Sequence, residues 1–213
     1  MSYTLNVTGF LLKGCIITLQ LYAVTIVFSI PLGIICALAK ISRYKFLKAF
    51  LEFYTWLFRG TPLLLQLFFT YYGLPVFGIR LTQEQAAAIT FVLNYAAYFT
   101  EIFRAGIQSI DKGQYEAAKA LGMNYRQTMW RIILPQAVKR VLPPTGNEAI
   151  TLIKDTALVA TIGMGDMLRA AKEVVTRDFK ISAFIIAAVI YLLLTTVVVY
   201  VFKKLEEKYS VYD

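Results

Sequence analysis

The 213 residues are 58% hydrophobic and only 16% charged, with a mean hydropathy of +0.61, against about 25% charged in ordinary soluble domains. That balance excludes a water-soluble globular domain, and because it runs the whole length it predicts one polytopic membrane domain over residues 1–213. A formal charge of +9 does not point to nucleic acid, since Lys and Arg flank apolar runs instead of forming one basic face.

In chain order, MSYTLNVTGFLLKG is mildly apolar and lacks a small-residue cleavage site, so no cleaved leader is expected. Residues 15–39 carry no charge between Lys13 and Lys40. They are enough to cross a ~30 Å hydrocarbon core, with a kink expected at Pro31 and Gly33. Cys15 and Cys36 stand roughly 30 Å apart along such a helix and cannot pair.

Lys40, Arg43, Lys45 and Lys48 follow with no acid among them, which marks a cytoplasmic loop and an outer N-terminus. Residues 46–77 read as an interfacial amphipathic piece, a break at Arg59-Gly60-Thr61-Pro62, and a spanning piece from Leu63. A short outer loop with Arg80 leads to a third span at 86–103, which carries Asn94 and Glu101. Residues 104–140 form a long basic inner loop. A weaker span at 141–162, interrupted by Pro143, Pro144, Asn147, Glu148, Lys154 and Asp155, closes the topology. An outer loop at 163–180, a clear span at 181–202 and a basic tail with Lys203, Lys204 and Lys208 complete the chain. The prediction is an all-α integral membrane protein of the cell membrane, with five transmembrane helices, N-out and C-in.

Inside the basic loop lies EAAKALGMNYRQTMWRIILPQA, residues 116–137. Glu116, Ala117, Ala118, Lys119, Ala120 and Leu121 favour helix, and Gly122 suits a turn out of it. Tyr125 to Leu134 is helix-compatible again, with Pro135 expected to end or bend it. Two short helices across the cytoplasmic mouth are predicted. Small alanines would let a partner's backbone approach, with Glu116, Lys119, Arg126 and Arg131 at the rim. The competing reading is a membrane-surface helix that only fixes loop geometry.

A charge at a bilayer centre costs about 2.5 to 3.5 kcal/mol on insertion scales, so ionisable residues within spans are candidates for function. Glu148 and Asp155 are seven apart and share a helix face, while Lys154 points roughly 100° away. These acids suit an ammonium or guanidinium group, and Asn147 with Thr61 offers donors for a carboxylate. Gln66 and Leu67, a turn beyond the helix break, are expected to face the same cavity. Asn94 and Glu101 form a second pair seven apart. The structural alternative is that Lys154 and Asp155 pair with each other or with Arg59.

The chain has no phosphate-binding G-x-x-x-x-G-K-[ST] loop and no histidine, so any ATP is expected on another chain. Neither a metal site, a cofactor of its own nor enzymatic catalysis is expected.

The spacing of Glu116-Ala117-Ala118, Gly122, Ile132 and Leu134-Pro135 resembles the EAA loop of ABC-importer permeases. Arg59-Gly60-Thr61-Pro62-Leu63, Glu101-Ile102-Phe103-Arg104-Ala105-Gly106-Ile107 and Leu152-Ile153-Lys154-Asp155-Thr156-Ala157-Leu158 are similar to the polar amino-acid uptake branch of histidine, glutamine and arginine type, with Ala157 where that branch usually has Ser. The resemblance implies an importer of two permeases, two ATPases and an extracytoplasmic binding protein, in which this chain is the pore. It further implies that the ATPase acts on Glu116, Ala117, Ala118, Lys119, Leu121, Gly122 and Arg126, and that a second permease, preferably an identical copy, completes the pore. Two acids on one face favour a basic cargo such as arginine, lysine or histidine. A glutamine or glutamate permease is the alternative, and an ATP-independent secondary transporter a more distant one.

Overall fold

The computed structural model describes residues 2–210, which are helical almost throughout with no strand among them. Of the predicted domain, residues 1 and 211–213 lie outside the described residues. The first helix, α1 (Ser2–Ile41), runs unbroken for 40 residues, with Pro31 inside it. At ~1.5 Å per residue it is about 60 Å long, twice the hydrocarbon thickness.

Helix α2 (Lys45–Gly60) is amphipathic: Leu51 and Thr55 are buried, while Phe46, Phe50, Phe53 and Trp56 are exposed. It stops at an extended Thr61, because the residue before a proline is pushed away from helical backbone. Helix α3 (Leu63–Phe68) restarts beyond Pro62 and continues through a wide π turn, Phe69–Gly73, and a tight turn, Leu74–Phe77. The predicted break is therefore present.

Helix α4 (Gln83–Gln108) opens on a capping box between Thr82 and Gln85 and is the most enclosed of the long helices. Its Phe91, Tyr95 and Phe99 form the centre of a core with Leu21 and Ala37 of α1 and Leu67 of α3.

The basic loop contains α5 (Lys112–Ala120), capped by Asp111, and α6 (Tyr125–Thr128), capped by Asn124. Of the two outcomes expected at Pro135, an end or a bend, the helix does not end there. A π turn at Met129–Ile133 passes directly into α7 (Leu134–Asp155), and Pro135 lies in its first turn. A proline ring clashes with the carbonyl four residues back in a regular helix, and the widened turn relieves that clash. The loop and the fourth predicted span are thus one continuous helical path. At Gly106, α4 approaches α7 so closely that a β-carbon there would run into the Val141 methyl.

After a tight helical turn, Thr156–Ile162, the region expected to be plain loop folds into α8 (Met167–Asp178). Its Met167, Ala170, Ala171 and Val174 recur at helical spacing and pack against α1 and α9 (Ser182–Ser210), around Val7, Leu11 and Ala187. Three helices are long and apolar enough to cross a membrane among the described residues: Tyr3–Ile41, Gln83–Gln108 and Ser182–Tyr209. Leu63–Phe77 is a shorter apolar helix, and α7 carries charges and two internal prolines.

Candidate functional site

The helix break is held by side chains from two directions. Gln66 Nε2 donates to the Phe58 carbonyl (2.9 Å), the Thr61 carbonyl (3.1 Å) and Thr61 Oγ1 (2.8 Å). Asn94 Nδ2, from α4, donates to the same Phe58 carbonyl (3.0 Å) and to Gln66 Oε1 (3.0 Å). Thr61 Oγ1 itself donates to the Leu57 carbonyl at 2.8 Å. The structure thus brings Asn94, which the sequence paired with Glu101, to Thr61 and Gln66 at the break; their polar atoms satisfy carbonyls that the break leaves without helical partners. A groove of about 590 Å³ opens beside them, lined by Thr61, Gln66, Thr70, Phe69 and Leu93. Leu67, expected at the same cavity, is instead wholly buried in the α1–α4 core. Successive helical residues point about 100° apart, so Gln66 and Leu67 cannot share a face.

On α7, Asp155 accepts a hydrogen bond from the Tyr95 hydroxyl at 2.8 Å, which ties the fourth predicted span to the third. Glu148 lies two turns earlier, half-buried, within electrostatic reach of both Asp155 and Arg59. Lys154 attracts Asp155, yet among the described residues neither acid forms an ion pair within 4 Å. Asn147 and Lys154 are exposed. Tyr95 was missed from the sequence; the available signal was a tyrosine in mid-span, far from the interfacial belts where tyrosines usually sit.

Glu101 has different surroundings from Asn94, its partner in the predicted pair. Its Oε1 meets Lys40 Nζ at 2.5 Å and its Oε2 meets Arg104 at 2.7 Å, with Arg59 3.9 Å away. Lys40 also donates to Thr55 Oγ1 at 2.8 Å. One carboxylate thereby links α1, α2 and α4.

The loop helix α5 presents Glu116, Ala117, Lys119 and Ala120 outward, whereas Ala118 is buried. Gly122 adopts φ +73°, a left-handed turn open to its surroundings, and its N–H closes onto the Lys119 carbonyl at 3.0 Å. Leu121 (78% exposed), Tyr125 (71%) and Trp130 (68%) extend the same surface beside Arg126. Ile107, Ile110, Met129 and Ile133 support it from beneath. Tyr125 and Trp130 were not singled out from the sequence, where they read as ordinary residues of an amphipathic helix.

An outward-facing loop helix carrying Glu-Ala-Ala, over a bundle with intramembrane acids, agrees with comparison to known proteins. Residues 29–211 match the family described as the binding-protein-dependent transport system inner membrane component. The chain belongs to this family. This permease is 43% identical over 209 residues to the arginine transport system permease protein ArtQ of Bacillus subtilis, covering 97% of this chain and 95% of that protein. It is 39% identical over 201 residues to the putative glutamine transport system permease protein GlnP of Rickettsia bellii, covering 93% and 92%. A crystal structure of an amino acid ABC transporter with histidines superposes with a TM-score of 0.90 at 36% identity, over 97% of both chains. The protein is an amino-acid ABC-transporter permease of the inner membrane, crossing it more than once.

Proposed function

We propose that this permease forms the translocation path of an ATP-driven importer for polar amino acids, with cationic side chains preferred. The observation that carries the proposal is the pair Glu148 and Asp155 on one face of α7. Asp155 is oriented by Tyr95, and neither acid is neutralised by an ion pair among the described residues. Two carboxylates in an apolar bundle are costly until a cation joins them, and an arginine or lysine side chain supplies that cation. On this reading Asn147 and Lys154, both exposed on α7, supply the donors that meet a cargo carboxylate. Similarity to a protein named for arginine supports a basic cargo; similarity to one named for glutamine supports the second reading, a neutral polar amino acid.

Energy enters through another chain. Five crossings, N-out and C-in, put the 116–137 loop in the cytoplasm, where α5 and the Gly122 turn offer an ATPase subunit a firm, partly apolar surface. Glu116, Ala117, Lys119, Leu121, Gly122 and Arg126 make the contact, with Ala118 packing α5 from below. A second permease, preferably an identical copy, and an extracytoplasmic binding protein complete the assembly. Nucleotide binds only the ATPase, and movement of α5 tilts the spans so that the acids face alternate sides.

The test is uptake into proteoliposomes holding the assembled complex, with arginine and glutamine compared. Arginine should drive uptake and stimulate ATP hydrolysis, and Glu148→Gln should depress arginine transport far more than glutamine transport. Stimulation by glutamine alone would reject the basic cargo.

A further inference from the structure

We propose a binding site for the phosphodiester headgroup of an anionic lipid between α2, α4 and α7, independent of which amino acid is carried. Two adjoining cavities share Arg59 and Glu101. One, of about 490 Å³, is lined by Arg59, Glu101, Arg104, Arg140 and Pro144. The other, of about 400 Å³, adds Lys40, Thr55 and Trp56, with Glu52 at its edge.

The charges around these cavities do not balance. Four cations, Lys40, Arg59, Arg104 and Arg140, line the two cavities with Glu101, whose two oxygens are already taken by Lys40 and Arg104. Glu52 is exposed and lies 3.9 Å from Lys48. Arg59 makes no hydrogen bond among the described residues; it lies 3.9 Å from Glu101 Oε2, over the Tyr98 ring at 5.4 Å and within electrostatic reach of Glu148, so its five N–H donors are not taken up. Arg140 uses one nitrogen on the Ser109 carbonyl. Guanidinium donors are thus left over in a recess where positive charge is in excess, and a phosphodiester, with two unbridged oxygens, accepts such forks.

Inorganic phosphate has the same chemistry, and what favours a lipid is the mouth of the site. Trp56 is 69% exposed at the rim, and Phe53 and Phe50 continue an apolar face along α2 on which acyl chains can lie. Tryptophan beside basic residues is the composition of a headgroup-level anchor, and basic pockets between membrane helices bind anionic headgroups.

The chain has two tryptophans, so Trp130→Phe leaves Trp56 as the sole reporter. The full-length protein is placed in phosphatidylcholine vesicles containing equal minor fractions of either brominated phosphatidylglycerol or brominated phosphatidylcholine. Brominated phosphatidylglycerol should quench Trp56 well beyond its bulk share, with roughly fivefold enrichment per engaged arginine at low salt, and added inorganic phosphate should leave that excess in place. Arg59→Gln with Arg140→Gln should bring the two lipids to equal quenching, and Arg140→Gln alone should lower the excess partway; unchanged quenching by brominated phosphatidylcholine shows that α2 keeps its depth. Equal quenching in the parent protein, loss of the excess to inorganic phosphate, or an undiminished excess in the variants would each overturn the lipid site.

Discussion

Removing Glu101 should cost more stability than removing Lys40, although the two form one ion pair. Both are largely buried, at 8% exposure for Lys40 and 15% for Glu101, with 2.5 Å between Nζ and Oε1. In Lys40→Met the carboxylate keeps two hydrogen bonds from Arg104, at 2.7 and 3.0 Å, and has Arg59 at 3.9 Å. The loss is then one charge-assisted hydrogen bond, about 1.5–3 kcal/mol. In Glu101→Leu the buried ammonium is left with only Thr55 Oγ1 at 2.8 Å, and breaking a buried pair in that way costs about 3–5 kcal/mol. The double variant leaves no buried charge and should be more stable than Glu101→Leu alone, which appears as a favourable coupling in a double-mutant cycle. Unfolding of the purified protein in mixed micelles, followed by tryptophan fluorescence, gives all three values. A cost below about 1 kcal/mol for Glu101→Leu would mean that Lys40 swings out to water along its flexible stem, and the cluster would then not be a tie between α1, α2 and α4.

Tyr95→Phe removes the hydroxyl that orients Asp155 and should lower kcat/KM for arginine uptake by about tenfold to a hundredfold, the equivalent of one hydrogen bond to a charged group; an unchanged value would detach Asp155 from the path. Gly122→Pro forces φ from +73° to the proline range near −65° and should uncouple ATP hydrolysis from transport in the assembled complex, as should Glu116→Lys; full coupling in both would remove the docking role from α5. On the opposite side, hydrogen bonds from Arg177 and Tyr3 hold the Asp178 carboxyl down to about 2. Since this lies below the ordinary value near 3.9, the tie between α1 and α8 contributes stability fully above that value and loses it as pH falls through about 2. The carboxylate infrared band that disappears in Asp178→Asn should titrate near pH 2, and a midpoint near 4 would discard the tie.

Those features of the fold that depend on local chemistry were readable in the sequence. An uncharged run between Lys13 and Lys40 specifies a span, and Thr61-Pro62 specifies a break. What escaped the reading depends on packing at long range. The charges of α8 hide its buried stripe from a hydropathy scan, because Met167, Ala170, Ala171 and Val174 are only modestly apolar and matter through their fit to α1 and α9. The continuity of α6 with α7 rests on a single widened turn, for which composition carries no distinctive mark. The candidate site divides in the same way: Glu148 and Asp155 were visible as acids in a span, but Tyr95 acts from a different helix 60 positions away.

The polar residues inside this bundle fall into two kinds, and the difference bears on where a cargo binds. Thr61, Gln66 and Asn94 are absorbed by the helix break, each bonded to backbone or to one another, so recruiting them for a ligand would expose carbonyls in an apolar setting. Glu101 is likewise absorbed, in its case by lysine and arginine. Among the described residues Glu148 and Asp155, unlike Glu101, have no cation within ion-pair distance, and Asp155 has one neutral donor where a buried carboxylate accommodates several. The bundle neutralises Glu101 thoroughly yet, among the described residues, leaves two acids seven residues apart on α7 without an ion pair. On the proposed reading their partner is the cationic group of the transported amino acid, and release follows when movement relayed from α5 into the continuous α6–α7 path lets water reach the two carboxylates.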